Sequence, residues 1–418
     1  MHHFMYKDGR LFCEDVPIER IADEIGTPFY LYSYQTLVRH FNAFDNAFSG
    51  IDHITCFSVK SNSNIAILRL FSKLRGGADI VSGGELYRAI KAGIDPSKIV
   101  YSGVGKREDE IEYAISSDIL MFNVESHQEL LKIDEIAGRL NKKARISIRV
   151  NPDIDPKTHP YISTGMRENK FGIDYKDAIS EYRFAKGLKN IEIVGISCHI
   201  GSQLLQISPF VDSLKRLLDL TKELEKEGIK IRYLDIGGGL GIRYSDETPP
   251  HPNEYAEAIK KEIKGLDLTL ILEPGRVIVG NAGILVSRVL YKKEQYGKLF
   301  FIVDAGMNDL IRPSLYGSYH EVWPVVKKDK EIVEADIVGP ICESGDFFAK
   351  KRRIQDLDPG DLIAVMSAGA YGFVMSSNYN SRPRAAEVMV KEDKFYVIRE
   401  RERYEDLIRG EIIPDFLK

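Results

Sequence analysis

Only four cysteines occur in 418 residues, Cys13, Cys56, Cys198 and Cys342. They lie too far apart to form a Cys-x-x-Cys pair, so neither a zinc knuckle nor a disulfide framework is indicated, and reduced thiols with no metal are expected. Long apolar runs are also missing. No stretch reaches the roughly 18 residues that a membrane span needs, and the N-terminus lacks the apolar core of a signal peptide. The expectation is a cytoplasmic protein with no membrane partner. Neither charge sign dominates, since 58 Lys and Arg face 62 Asp and Glu for a net charge of −4. That balance leaves no electrostatic footprint for nucleic acid. Repeats of solenoid period and low-complexity segments are absent too.

What remains is an ordinary globular composition, 44% hydrophobic and 29% charged, long enough for two or three domains at roughly 150 residues each. From Met1 to about Ile25 the pattern is short and mixed and reads as peripheral β structure. A strand at Phe29-Tyr30-Leu31-Tyr32 follows, and then Ser33 stands as a helix N-cap before Leu37, Phe41 and Phe44. Eight strand-like runs come next, most of them separated by amphipathic helical patterns. They are Ile54 to Val59, Ala78 to Val81, Ile99 to Tyr101, Leu120 to Val124, Arg145 to Val150, Ile193 to Cys198, Tyr233 to Ile236 and Leu268 to Leu272. Strands alternating with helices imply parallel pairing with right-handed crossovers, and eight such units fit a closed (β/α)8, TIM-like barrel; a doubly wound open sheet is the alternative.

After Gly283 the texture turns to strands, among them 284–291, 299–304, 362–366 and the hairpin-like pair 386–390 and 395–399. The expected organisation is α/β plus β: a barrel over 28–280, and a β-rich sandwich or barrel domain built from 281–418 together with 1–27, because chain ends often meet at a surface.

Polar and glycine-rich residues follow the barrel runs, which places them on the C-terminal mouth where function sits in such barrels. In Phe57-Ser58-Val59-Lys60-Ser61-Asn62-Ser63-Asn64, Lys60 closes an interior strand, where desolvation can free an amine for Schiff-base chemistry; a lysine snorkelling into solvent is the plain alternative. Asp235-Ile236-Gly237-Gly238-Gly239-Leu240-Gly241 offers backbone N–H groups that can cradle a phosphate, or simply makes a tight turn. Glu273-Pro274-Gly275-Arg276 places a carboxylate at the eighth strand's end, suited to hold a proton on a pyridoxal ring nitrogen or to pair with a rim arginine. Arg276 suits a substrate carboxylate. His199 can stack on an aromatic cofactor and Ser202 can donate to a phosphate, although a lone histidine after a strand is often structural. In the β-rich part, Cys342 stands beside Glu343, Arg312 and Tyr316 share a loop, and Tyr371 lies between small residues; a lone buried cysteine is commonly inert.

Together, Val59-Lys60-Ser61-Asn62, Val81-Ser82-Gly83-Gly84-Glu85-Leu86, His199-Ile200-Gly201-Ser202-Gln203, Glu273-Pro274-Gly275-Arg276, Met307-Asn308-Asp309-Leu310-Ile311-Arg312-Pro313 and Cys342-Glu343-Ser344 resemble the diaminopimelate decarboxylases. These belong to the alanine racemase-like, fold type III class of pyridoxal phosphate enzymes. The resemblance covers nearly the whole chain; Ser61 departs from an alanine common in the family. It implies pyridoxal 5'-phosphate on Lys60 as a Schiff base, His199 on its ring and Glu273 on its ring nitrogen. Its phosphate would be held by Ser202, Gly239, the Gly275-Arg276 backbone and Tyr371. An amino-acid substrate would be bound by Arg276, Arg312, Tyr316, Glu343 and Tyr371, with Cys342 reprotonating the substrate carbon. The implied reaction is decarboxylation of meso-2,6-diaminopimelate to L-lysine, the last step of lysine biosynthesis, in a homodimer with shared active sites. The competing readings are a decarboxylase of ornithine, arginine or carboxynorspermidine, and a non-catalytic cofactor-binding homologue.

Overall fold

Eight strands close on themselves in the computed structural model, which describes residues 2–154 and 170–418. They are His53–Ser58, Gly77–Ile80, Ile99–Tyr101, Met121–Val124, Ala144–Asn151, Ile191–Ser197, Tyr233–Asp235 and Thr269–Leu272. Each pairs in parallel with the next. The eighth returns to the first, with Leu270 opposite His53. Closure rules out the open doubly wound sheet. All eight expected runs are strands, Ile99–Tyr101 with the expected bounds and the others within two residues at each end.

The barrel belongs to one of two units, Val38–Val279; the other is Met1–Leu37 with Gly280–Lys418. Amphipathic helices separate the strands because their apolar residues recur at helical spacing: Ser208–Lys226 buries Phe210, Leu214, Leu217, Leu220 and Leu224 along one stripe,. Each such leucine contributes roughly 1.5–3 kcal/mol on burial. The helices start at the mouth, where side chains take up their first N–H groups. Asn64 accepts from Ala66 N at 2.9 Å ahead of Ile65–Lys73, and Ser82 accepts from Glu85 N at 3.2 Å ahead of Gly83–Lys91. Ser126 does the same for Glu129 N at 3.3 Å ahead of His127–Arg139,.

The second unit carries a mixed sheet in the order Phe347–Gln355, Ile332–Val338, Lys298–Val303, Gly283–Gln295, Phe29–Ser33, Ala386–Lys391 and Lys394–Arg399. The last two form the expected hairpin, Lys391 opposite Lys394. The strand Phe29–Ser33, expected in the barrel domain that starts at 28, instead pairs with Gly283–Gln295 and Ala386–Lys391. The physical reason is its unbroken burial: Phe29 and Leu31 pack with Ile284, Val286 and Val388 in this unit's core, so both faces need cover. Ser33 caps the helix Tyr34–Ala47 by accepting from Thr36 N at 3.1 Å, as the sequence suggests. The N-terminal segment forms a small antiparallel sheet of Phe4–Lys7, Arg10–Cys13 and Val16–Pro17. It then departs from the all-β expectation with a helix at Ile18–Ile25, which buries Ile18, Ile21 and Ala22.

Candidate active site

Every barrel strand contributes at least one buried polar side chain, within the strand or directly after it. Ser58, Asp79, Asn123, Ser147, Ser197 and Asp235 lie within strands, and Ser102 and Glu273 directly follow the third and eighth. They are tied to one another by hydrogen bonds, although Asp79 Oδ1 has no partner,. Ser58 Oγ donates to Asp79 Oδ2 at 2.8 Å, and Ser147 Oγ lies 2.9 Å from Ser197 Oγ. The Asn123 amide nitrogen donates to Ser102 Oγ at 3.0 Å, to Asp235 Oδ2 at 2.9 Å and to Glu273 Oε1 at 3.3 Å.

Above this layer sits Lys60, on the one-turn helix Val59–Ser61 that ends the first strand. Its Nζ donates to Asp79 Oδ2 at 2.5 Å. Its side chain keeps 33% exposure while Asp79 keeps none. The expectation of a lysine isolated by desolvation therefore changes: a buried carboxylate holds the amine. The other Asp79 oxygen, Oδ1, is buried without a hydrogen-bond partner.

Burial, with Asp235 and Asp79 close by, pushes the Glu273 carboxyl well above the usual carboxylate range,. His199 goes the other way, lowered by burial and then by the Arg149 and Lys60 charges. Its Nδ1 accepts from Gly238 N at 3.2 Å, which agrees with a neutral ring. Lys60, Ser102, Asn123, Arg149, His199 and Glu273 line one cavity of about 150 Å³. Arg149 is held there by Glu125, Nη1 to Oε1 at 2.7 Å.

The glycine turn beside this cavity tolerates no side chain. A Cβ on Gly238 would lie 2.0 Å from the Glu273 carbonyl oxygen, and one on Gly239, at φ +115°, 2.3 Å from the Gly201 carbonyl oxygen. Next to it, Arg276 donates from Nη2 to Ser202 Oγ at 3.0 Å and from Nη1 to Tyr244 Oη at 2.6 Å. Gly275 precedes that arginine, and its carbonyl accepts from Ile278 N at 3.0 Å.

The remaining expected residues lie in the β-rich unit, Arg312 with Tyr316 in one place and Cys342 with Glu343 on a loop. Arg312 is buried, with Nε 3.4 Å from His320 Nε2, Nη2 3.2 Å from Ser318 Oγ, and its guanidinium 5.7 Å from the Tyr316 ring centre. Cys342 and Glu343 are exposed on a loop. The Cys342 N–H donates to Asn380 Oδ1 at 2.8 Å, and Tyr379 Oη to Glu343 Oε2 at 3.4 Å. The buried-thiol alternative for Cys342 does not hold, because Cys342 is the exposed member of the four cysteines. Tyr371 takes a left-handed backbone, φ 56°.

Sequence reasoning missed Asp79, Asn123, Arg149 and Tyr244. A signal existed for the first: an aspartate inside the apolar run Ala78-Asp79-Ile80 is costly unless it is paired. Asn123 and Arg149 carried the same mark within Met121–Val124 and Ala144–Asn151.

The model of the family described as pyridoxal-dependent decarboxylase, pyridoxal binding domain, matches residues 34–280. Diaminopimelate decarboxylase of Aquifex aeolicus is 54% identical over 404 residues, 96% of each chain. That of Vibrio cholerae is 51% identical over 409 residues, covering 97% of this chain and 98% of the relative. The solved structure of diaminopimelate decarboxylase from Helicobacter pylori complexed with L-lysine superposes with a TM-score of 0.91 at 47% identity, covering 94% of this chain and 98% of that one. The enzyme from M. jannaschii in co-complex with L-lysine gives 0.95 at 39% identity over all of both chains. With half its residues shared along almost its entire length, and with the barrel, lysine and glycine turn in their places, the chain belongs to the diaminopimelate decarboxylase family of pyridoxal-dependent decarboxylases.

Proposed function

We propose that this protein is a carboxy-lyase that converts meso-2,6-diaminopimelate to L-lysine and carbon dioxide with pyridoxal 5'-phosphate, as a cytoplasmic homodimer. The observation that carries the reading is that Lys60, His199 and Glu273 line one cavity at the barrel mouth. The residues fit the cofactor. A carboxyl raised by burial, and further by its acidic neighbours, suits a cationic ring nitrogen, and the Gly237-Gly238-Gly239 turn keeps its surface free of side chains.

When bound, the cofactor supplies an electron sink for the carbon that loses its carboxylate. Lys60 Nζ would hold it, the neutral His199 ring would pack against its ring, and the Glu273 carboxylate would keep a proton on its ring nitrogen. Its phosphate would be taken by Ser202, by the backbone of Gly239 and of Gly275-Arg276, and by Tyr371. At the substrate's far end, Arg276, Arg312, Tyr316 and Tyr371 read a carboxylate and Glu343 an ammonium; planar guanidinium forks suit the first and a carboxylate the second. Cys342 Sγ would return a proton to the carbon that has lost carbon dioxide. Exposure of Cys342 and Glu343 in the single chain supports the view that they complete the site of a second copy.

The test is carbon dioxide release by the purified protein against a panel of amino acids. Turnover of meso-diaminopimelate well above the others, with L-lysine as product, is the expected result. Equal or better turnover of ornithine or arginine overturns the substrate, and no turnover of any amino acid by cofactor-loaded protein overturns the enzyme.

A further inference from the structure

Asn123 occupies an unusual place in the buried layer, because one side-chain amide meets two carboxyl groups. Its nitrogen reaches Asp235 Oδ2 at 2.9 Å and Glu273 Oε1 at 3.3 Å. Its oxygen accepts from Ser147 Oγ at 2.5 Å, which fixes which end of the amide points at the acids,. Ser102 Oγ, itself an acceptor from Asn123, lies 3.4 Å from the same Glu273 oxygen. Asp235 is held from its other side by the Gly237 N–H at 2.8 Å. We propose that Asn123 is a positioning residue, oriented by Ser147, that holds Asp235 and Glu273 as one hydrogen-bonded pair beneath the cofactor pocket. This rests on the function proposed above, in which Glu273 faces the ring nitrogen.

The charges around the pair give the device its purpose. Lys60 is committed to Asp79 at 2.5 Å and Arg149 to Glu125 at 2.7 Å. Cys56, Cys198 and Tyr255 also face the pair, and burial pushes each of them up, so they stay neutral. His199 is neutral for the opposite reason. Two buried carboxylates in contact, with no ion pair of their own among the described residues, cannot both ionise without a large penalty. Sharing one proton across the pair leaves a single negative charge, which one cationic ring nitrogen matches. Burial raises both acids, in keeping with a retained proton. A donor amide that bridges the two oxygens stabilises the shared state; an acid or an apolar side chain in its place does not.

The test follows cofactor release from the holoenzyme rather than turnover. Asn123→Asp, Asn123→Leu and Ser147→Ala are loaded with pyridoxal phosphate, and loss of the bound cofactor's fluorescence on dialysis is timed at pH 6 and pH 8. Asn123→Asp removes the donor and adds an acid, so release should quicken by about tenfold or more at pH 8, the scale of one charge-assisted hydrogen bond. At pH 6 proton uptake should bring it back toward the native rate. Asn123→Leu should release faster at both pH values. Ser147→Ala, which removes only the hydroxyl that orients Asn123, should show a smaller change of the same sign as Asn123→Leu. Native release rates at both pH values in folded Asn123 variants overturn the proposal. If the Asn123 variants show no cooperative melt, Ser147→Ala decides, and a native rate there overturns it. A native protein that retains no cofactor counts against the proposed function instead, so the two failures are distinguishable.

Discussion

Lys60 and Asp79 form an ion pair, Nζ to Oδ2 at 2.5 Å, in which the aspartate is wholly buried and the lysine one-third exposed. The asymmetry matters. The carboxylate sits inside the barrel wall, fixed by Ser58 Oγ at 2.8 Å, while the amine projects into the cavity at the mouth. A buried acid holds that cation at one spot, where the amine would meet an incoming carbonyl group under the proposed function.

Lys60→Ala should therefore lose covalent retention of the cofactor. Borohydride reduction followed by peptide mass analysis should place the cofactor's mass on Lys60 in the native chain and nowhere in the variant. Turnover should fall on the order of 10³-fold or more. The partial exposure of Lys60 screens its attraction for Asp79, so the melting temperature should drop only modestly. A variant that kept cofactor and activity through dialysis would overturn the assignment.

The proposed sharing of active sites makes a prediction that does not depend on the substrate's identity. Lys60→Ala and Cys342→Ala chains are each expected to be inactive as homodimers, because each lacks one essential group in both sites. Mixed under conditions of verified subunit exchange, they should regain up to roughly a quarter of native activity if exchange is random, since half the dimers are hybrids with one intact site in two. No recovery would sink the shared-site arrangement and leave the barrel chemistry untouched.

Asp309 supplies a pH test in the β-rich unit. Burial, with Asp304 adding repulsion, pushes its carboxyl up to about 7 despite the Gly306 N–H and the attraction of Arg382 and Arg401. Its Oδ1 is buried without a hydrogen-bond partner. An unfolded aspartate titrates near 3.9, so the folded chain binds this proton more tightly. The resulting stabilisation is complete below about pH 4 and is lost as pH rises through about 7. Asp309→Asn cannot titrate. The native melting temperature, relative to that of the variant, should fall between pH 5.5 and pH 8.5. Parallel melting curves across that range would contradict the assignment.

The barrel was legible because its strands are buried on both faces, so each appears as a short run of Val, Ile, Leu and aromatics between helical patterns. Lys60, His199, Glu273 and Arg276 were legible because polar residues at strand ends interrupt that pattern. The strand Phe29–Ser33 was assigned to the wrong unit for a physical reason: five buried residues in a row suit any sheet, and only pairing with Gly283–Gln295 and Ala386–Lys391, hundreds of residues away, decides which. Asn123 was invisible for another reason. One asparagine in Met121–Val124 reads as a flaw in a strand until Ser102, Ser147, Asp235 and Glu273 close around it.

The substrate rests most heavily on Arg312. It is buried, its Nε and Nη2 bonded toward His320 and Ser318, so the guanidinium is fixed in direction before any ligand arrives. Its proximity to the Tyr316 ring adds to that order,. A prearranged fork gains most from a planar carboxylate, and diaminopimelate keeps one at its far end where ornithine, arginine and lysine carry none. Arg312→Ala should cost about 2–3 kcal/mol of transition-state binding, roughly 30- to 150-fold in kcat/KM for diaminopimelate. Most of the loss should appear in KM, because the far carboxylate is bound alike before and during reaction. Arg312→Lys should recover part of it, since the charge returns without the fork. The bound cofactor's absorbance should be unchanged in both variants, which separates a lesion in substrate recognition from one in the cofactor site. Steady-state kinetics on diaminopimelate, alongside the spectrum of each variant, supply the measurement. A native KM in Arg312→Ala would remove this residue from the substrate's far end.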